Sequence, residues 1–330
     1  MGRLQRVIDP GREYHRPLAE IEDAVFLDVG ATRGKTTRFW AQLVLASVIA
    51  AGGVIGDATP AVIGAMIIAP LGTPIYGLAL AAVAGQRRAL RSSLRLLVGG
   101  IVVNVLIGVL IGLVTVNRVA VDVNPQIVGR TAPTVLDLTV AIAVGVAGSF
   151  ALARKDVADI LAGVAIAISL VPVLAVVGIT LGSGHFRLAA GAFILFVTNA
   201  AAILIAGAVV FTLAGYKQEA TDRDERAGQR ARLAIIGLVV VLLIPLTASS
   251  FQILLYEVWT RKAEGITRRW LDGTEWKVQD VSQTSDQIVI TVIGPDAAPP
   301  MEDLKAALRE EIPERVPISI VEDSGRTADL

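Results

Sequence analysis

Residues 61–84 read AVIGAMIIAPLGTPIYGLALAAVA, twenty-four positions without a charged side chain, punctuated near the middle by Pro70, Gly72 and Pro74. A helix of that length is about 36 Å long, enough to cross a hydrocarbon core of about 30 Å. Unpaired backbone groups in lipid cost several kcal/mol each, so such a stretch is stable there only as a helix. Six more windows share its character: 39–56, 96–116, 135–153, 160–181, 188–214 and 233–256. Together the seven hold 155 residues and one charge, Asp137, where even scatter of the chain's 60 charged residues would put about 28. We read the chain as an all-α polytopic membrane protein of about seven transmembrane helices, embedded in a lipid bilayer.

The remaining composition excludes several classes. The chain has 330 residues, 54% hydrophobic and 18% charged, and its mean hydropathy is +0.64. A soluble domain carries about 25% charge. The 30 basic and 30 acidic residues cancel, which argues against a nucleic-acid partner, since that needs a basic face. The absence of cysteine removes disulfides, thiolate zinc sites and thiol nucleophiles. His15 and His185 stand 170 positions apart and offer no ligand spacing. No Ser-His-Asp set, paired carboxylate or metal cluster stands out, so neither an enzyme nor a cofactor is expected. Gly30-Ala-Thr-Arg-Gly34-Lys35-Thr36 approaches a phosphate loop but has three intervening residues where GxxxxGK[ST] needs four; Lys35 then reads as a flanking charge.

Basic residues give an orientation. The N-terminal segment 1–38 and the second, fourth and sixth loops carry seven, four, two and five Lys or Arg, whereas the loops on the other side carry zero, two (Arg118, Arg130) and one (Arg187). The N-terminus is therefore expected in the cytoplasm, and segment 1–38 lacks the apolar core of a signal peptide. The six-helix core is expected over 39–214, a charged cytoplasmic loop over 215–232, and a seventh span over 233–256. Residues 257–330 then form a small extracytoplasmic α+β module. Within it, 276–282 and 287–293 read as strands, Pro299-Pro300 opens a helix, and Val316, Ile318 and Ile320 alternate as a further strand. Arg261, Lys262, Arg268 and Arg269 complicate an outside location for this tail. The Arg-rich, Ala-, Val- and Gly-rich composition hints at a bacterial genome, and hence an inner membrane.

Spans 1–3 and 4–6 share a layout that predicts 3+3 inverted repeats, 39–116 and 134–214. Each has a Gly-rich first span, a proline-interrupted second and a third with a lone amide, Asn104 or Asn199. Broken helices at matching positions of inverted repeats are a sequence pointer to a transport site. Pro70 and Pro74, and Pro172 after Ser169, would break or kink the second and fifth spans, either around a ligand or as plain packing kinks. Asn104 lies in the stripe Gly100, Asn104, Gly108, Gly112, and Asn199 follows Thr198 with Gly191 and Gly207 eight residues to either side. Each amide either glues helices or lines a cavity. The glycine faces also suit a homo-oligomer. Asp57, in the turn before span 2, either caps that helix or gates. Asp137, in the first turn of span 4, either serves the helix dipole and pairs with Arg130 or plays a functional part.

Three segments together resemble a bacterial family of hydrophobic proteins labelled domain of unknown function 389: Gly64-Ala-Met-Ile-Ile-Ala-Pro70-Leu, Arg130-Thr-Ala-Pro-Thr-Val-Leu-Asp137-Leu, and Gly163-Val-Ala-Ile-Ala-Ile-Ser-Leu-Val-Pro172. Phe196-Val-Thr-Asn199 is similar to its later motif. The resemblance covers about 40–215, with Val173 where the family often has a second proline. It implies the membrane class and draws attention to Pro70, Arg130, Asp137, Pro172 and Asn199, but brings no substrate. We therefore expect a transporter or channel-like protein for a small solute or ion, with its site between the broken helices. The alternative is a membrane scaffold or sensor whose C-terminal module binds a partner; a lipid-handling enzyme is a third reading.

Overall fold

A computed structural model describes residues 14–115, 121, 124–131, 134–157, 170–223, 255–256, 258–284, 287–294, 300–314 and 316–323. The seventh span, except for its last two residues, and the first half of the fifth, including Ser169, lie outside them. The chain divides into two compact units, Met1–Thr247 and Ala248–Leu330.

In the first unit a short amphipathic helix, α1 (Leu18–Val25), buries Leu18, Ile21 and Val25. It precedes the first span, α2 (Thr32–Ile55). The second span is two helices, α3 (Thr59–Ile68) and α4 (Gly72–Val83), bent by 41°. Then come α5 (Arg87–Thr115), the one-turn α6 (Pro125–Val128) and α7 (Val135–Ala153), followed by α8 (Leu170–Gly182), α9 (Phe186–Leu213) and α10 (Tyr216–Arg223). Among the described residues four helices are long and apolar enough to cross a membrane, or five with the bent pair taken as one. The expected count of seven is not reached there.

The distribution of side chains on α5 is inverted relative to a water-soluble helix. Leu94, Val98, Val102, Leu106, Leu110 and Val114, each four residues from the next, are 49–82% exposed, while Ser93, Gly100, Asn104, Gly108 and Gly112 are buried. An apolar ridge of that extent is costly in water and costs nothing in lipid, where close approach of small residues drives helix association instead.

Two groups of hydrogen bonds hold opposite ends of this unit. At one end Arg16 N donates to Ala153 O (3.0 Å) and Lys155 N to Tyr14 O (3.0 Å). His15 Nε2 lies 2.6 Å from Glu219 Oε1, Leu18 N donates to Glu219 Oε2 (3.1 Å), and Gln86 Nε2 to Glu22 Oε1 (2.5 Å). The four basic segments thus meet one another. At the other end Asn124 Nδ2 donates to Val54 O (3.0 Å) and Gln126 Nε2 to Thr59 Oγ1 (2.9 Å), while Gly191 packs on Thr131 O. Lys35 does more than flank: its ammonium binds Asp23 O, Asp23 Oδ1 and Val29 O at 2.5–2.8 Å, clamping the loop into α2.

The second unit is a helix at 258–270 (α11), then β1 (Lys277–Thr284), β2 (Gln287–Ile293), α12 (Met301–Glu311) and β3 (Ile318–Asp323). β1 pairs antiparallel with β2, with an irregularity between Val278 and Asp280, and β2 pairs in parallel with β3. The expected β-β-α-β order holds. The helix ahead of it, which carries Arg261, Lys262, Arg268 and Arg269, was not anticipated. Ile288, Ile290, Val292, Leu304, Leu308 and Trp276 form its own core.

Candidate functional site

The break in the second span lies between Ile68 and Gly72. Ala69 N still reaches Ala65 O (3.0 Å) and Thr73 N reaches Pro70 O (3.1 Å), but Pro70 has no amide to return to Met66. The two prolines act differently. Pro70 ends the first half-helix, whereas Pro74 is the third residue of α4, in a first turn where a missing N–H leaves no intrahelical bond unmade. Leu71 in the break packs against Gly100, where an added Cβ would come within 2.7 Å of its Cδ2. Pro172 lies in α8, the residues just before Leu170 being outside the described ones.

The small residues of α5 join it to α8. A Cβ at Gly108 would meet Ala175 O and Gly178 Cα, both at 2.8 Å, and one at Gly112 would meet Ile179 O at 2.6 Å. These glycines are thus used within the chain and offer no face to a second copy. Asn104 is fully buried and its Nδ2 donates to Val171 O (3.4 Å), beside Pro172.

A looser contact joins α9 to α4, where a Cβ at Gly207 would lie 3.3 Å from Ala79 Cβ and 3.6 Å from Tyr76 Cδ1. Asn104 precedes Gly112 by eight residues, and Asn199 precedes Gly207 by eight. At 1.5 Å per residue that is about 12 Å on each helix. Between α5 and α8, which run in parallel, eight residues before Ile179 is Val171, the carbonyl that Asn104 contacts. Helices α9 and α4 also run in parallel, by the end groups described above. Eight residues before Ala79 is Leu71 and before Tyr76 is Ile68, the two edges of the break. Asn104 is thereby level with the proline of the other triplet's second span, through its bond to Val171 O beside Pro172.

Among the described residues, Asn104 Oδ1, Asn199 Oδ1 and Thr198 Oγ1 are buried oxygens without partners. Buried polar atoms are rarely left so. Thr198 stands apart from Ser47, Thr115, Ser149, Thr180 and Thr212, whose hydroxyls donate to the carbonyl four residues earlier at 2.5–2.8 Å.

The other candidates lie elsewhere. Asp57 does not cap the second span: it sits at φ 47°, and Ala58, without a side-chain bond, is the N-cap. Arg130 does not pair with Asp137; its Nη1 donates to Gln126 O (2.8 Å) and Oε1 (2.9 Å), Nε is buried without a partner, and desolvation lowers its pKa. Asp137 completes a capping box: Thr134 N and Oγ1 donate to Oδ2 (2.8 and 2.7 Å), and Asp137 N donates to Thr134 Oγ1 (3.2 Å). Asp137→Ala should lower stability by about 1 kcal/mol, measured by thermal unfolding in detergent, and leave any flux unchanged. Sequence spacing missed the His15–Glu219 pair, whose members are 204 positions apart, and Gly178 with Gly182, which a search for small residues four apart would have found.

Exposed apolar ridges, buried small residues and a broken span are the features of a multi-pass helical membrane protein, with which these apolar helices are compatible. Residues 66–205 match the family model described as Domain of unknown function (DUF389), as the quoted motifs led us to expect. That segment carries every candidate named here except Asp57. An uncharacterised protein of the archaeon Methanocaldococcus jannaschii is 29% identical over 195 residues, which is 59% of this chain and 60% of that protein. The chain thus spans about three-fifths of the curated relative it matches. No solved structure matches.

Proposed function

We propose that the protein is an inner-membrane transporter or channel-like protein for a small solute or ion, built as two inverted triplets. The path runs past the break at Ala69–Leu71 and the start of α8, with Asn104 and Asn199 as polar contacts. One observation carries this. In both third helices an amide lies eight residues before the glycine that abuts the opposite triplet's second span, and both amides keep an unpartnered oxygen. Mere interhelical glue would use both ends of each amide. The clustering of basic segments at one end supports a cytoplasmic N-terminus there, and the C-terminal module is assigned to the outside.

Purified protein in liposomes, tested against a panel of inorganic ions and small metabolites, should pass at least one, and Asn104→Leu or Asn199→Leu should abolish that flux. Flux unaffected by both substitutions would remove the site. The second reading, a scaffold or sensor, is favoured by the independent core of the C-terminal unit. It predicts no flux, together with co-purification of a partner that is lost on deleting residues 270–330.

A further inference from the structure

We propose that the two amides are half-sites for a dehydrated monovalent cation, which rests on the transport reading above and names its substrate class. The unpartnered atoms are oxygens: Asn104 Oδ1 on a fully buried residue, Thr198 Oγ1 on one 2% exposed, and Asn199 Oδ1, buried on a half-buried residue. Pro70 adds the carbonyl of Met66, which has no amide four residues ahead to receive. Of the donors, Asn104 Nδ2 already serves Val171 O.

The charge inventory narrows the ligand. Asp137 is the one charged residue inside the apolar windows, and Thr134 holds it in a capping box at a helix start. A divalent cation in a dry site is held mainly by carboxylates, and none faces this level among the described residues. An anion needs donors, and Arg130 is committed to Gln126 in the loop at the far end. Neutral carbonyl-type oxygens replace the hydration shell of a monovalent cation. Two such half-sites stand on the third helices, one per triplet, and that of Asn104 is set against Pro172 of the opposite triplet.

The test uses the full chain in detergent, with thermal unfolding followed by fluorescence of its tryptophans. NaCl, KCl and NH4Cl are titrated against choline chloride at constant ionic strength. At least one of the three cations should raise Tm saturably, because a ligand that binds only the folded state stabilises it by mass action. Asn104→Leu and Asn199→Leu should each weaken the apparent affinity by roughly tenfold, as loss of one charge-assisted contact does. Asn104→Asp should tighten it, which a site for a neutral solute would not show. Identical curves for all four salts would overturn the proposal, as would a cation shift that both Leu variants retain. Asn-dependent flux of an uncharged solute with no cation shift would overturn the cation site and leave the transport reading standing. A saturable, Asn-dependent shift without flux of any cation in liposomes would do the reverse.

Discussion

Gly178→Leu is expected to destabilise the membrane core strongly. A Cβ at position 178 would run into the carbonyl oxygen of Val105 and lie 2.6 Å from Gly108 Cα and 2.8 Å from Val109 N. These are backbone atoms of α5 and cannot rotate aside as a side chain can, so the helices must separate. Asn104 would then lose Val171, and Gly112 its seat on Ile179. Overpacking in a close-packed interior costs about 1–3 kcal/mol and more where nothing yields; here we expect about 3 kcal/mol or more. Gly64→Leu is the control, since its Cβ would meet nothing within 4 Å, and it should change stability by about 0.5 kcal/mol or less. The folded fraction by gel filtration and the midpoint of thermal unfolding in one detergent separate the two. Equal stability of the two variants would show that α5 and α8 do not cross on their glycines.

Pro70→Ala should cost flux, not stability. Proline is about 3 kcal/mol less favourable than alanine inside a helix, so alanine favours joining Thr59–Ile68 to Gly72–Val83 by about that amount. A shift of 3 kcal/mol in the balance between broken and continuous spans is roughly a hundredfold change in population. Flux of whichever panel solute the native protein carries should fall by roughly that factor, with Tm unchanged or raised. An unchanged flux would reduce the break to a packing kink. Pro74→Ala is the comparison: in the first turn of α4 its ring breaks no bond, and its effect should be small.

Much of this fold was legible in the chain because bilayer solvation leaves a strong record in composition. Uncharged windows gave α2, α5, α7 and α9 to within about a turn, apart from the charged starts of α2 and α5, and Pro70 marked the break. The strand alternation in Gln287–Ile293 was equally readable, because one face is buried and the other is not. The basic helix at 258–270 was missed because charge next to a span reads as a flank. At the site, the lone amides stood out in apolar surroundings, but their roles depend on what faces them. Asp57 illustrates this: its residue type favours a cap, yet the backbone turns through positive φ at that position and the helix begins one residue later. Asp137 and Arg130, near neighbours in sequence, were drawn to Thr134 and Gln126 because local geometry outweighs the attraction of distant opposite charges. The pairing of Asn104 with Gly112 and of Asn199 with Gly207 gained meaning only once each glycine was seen against the other triplet.

Both amides should line the transport path past the broken span. Because the chain has no cysteine, Asn104→Cys and Asn199→Cys each introduce a unique thiol. The measurement is the rate of modification of each by a small, membrane-impermeant thiosulfonate in sealed liposomes, with Leu106→Cys on the lipid-facing ridge as reference. Both site thiols should react and the reference should not; protection of both to the level of Leu106→Cys would contradict the account.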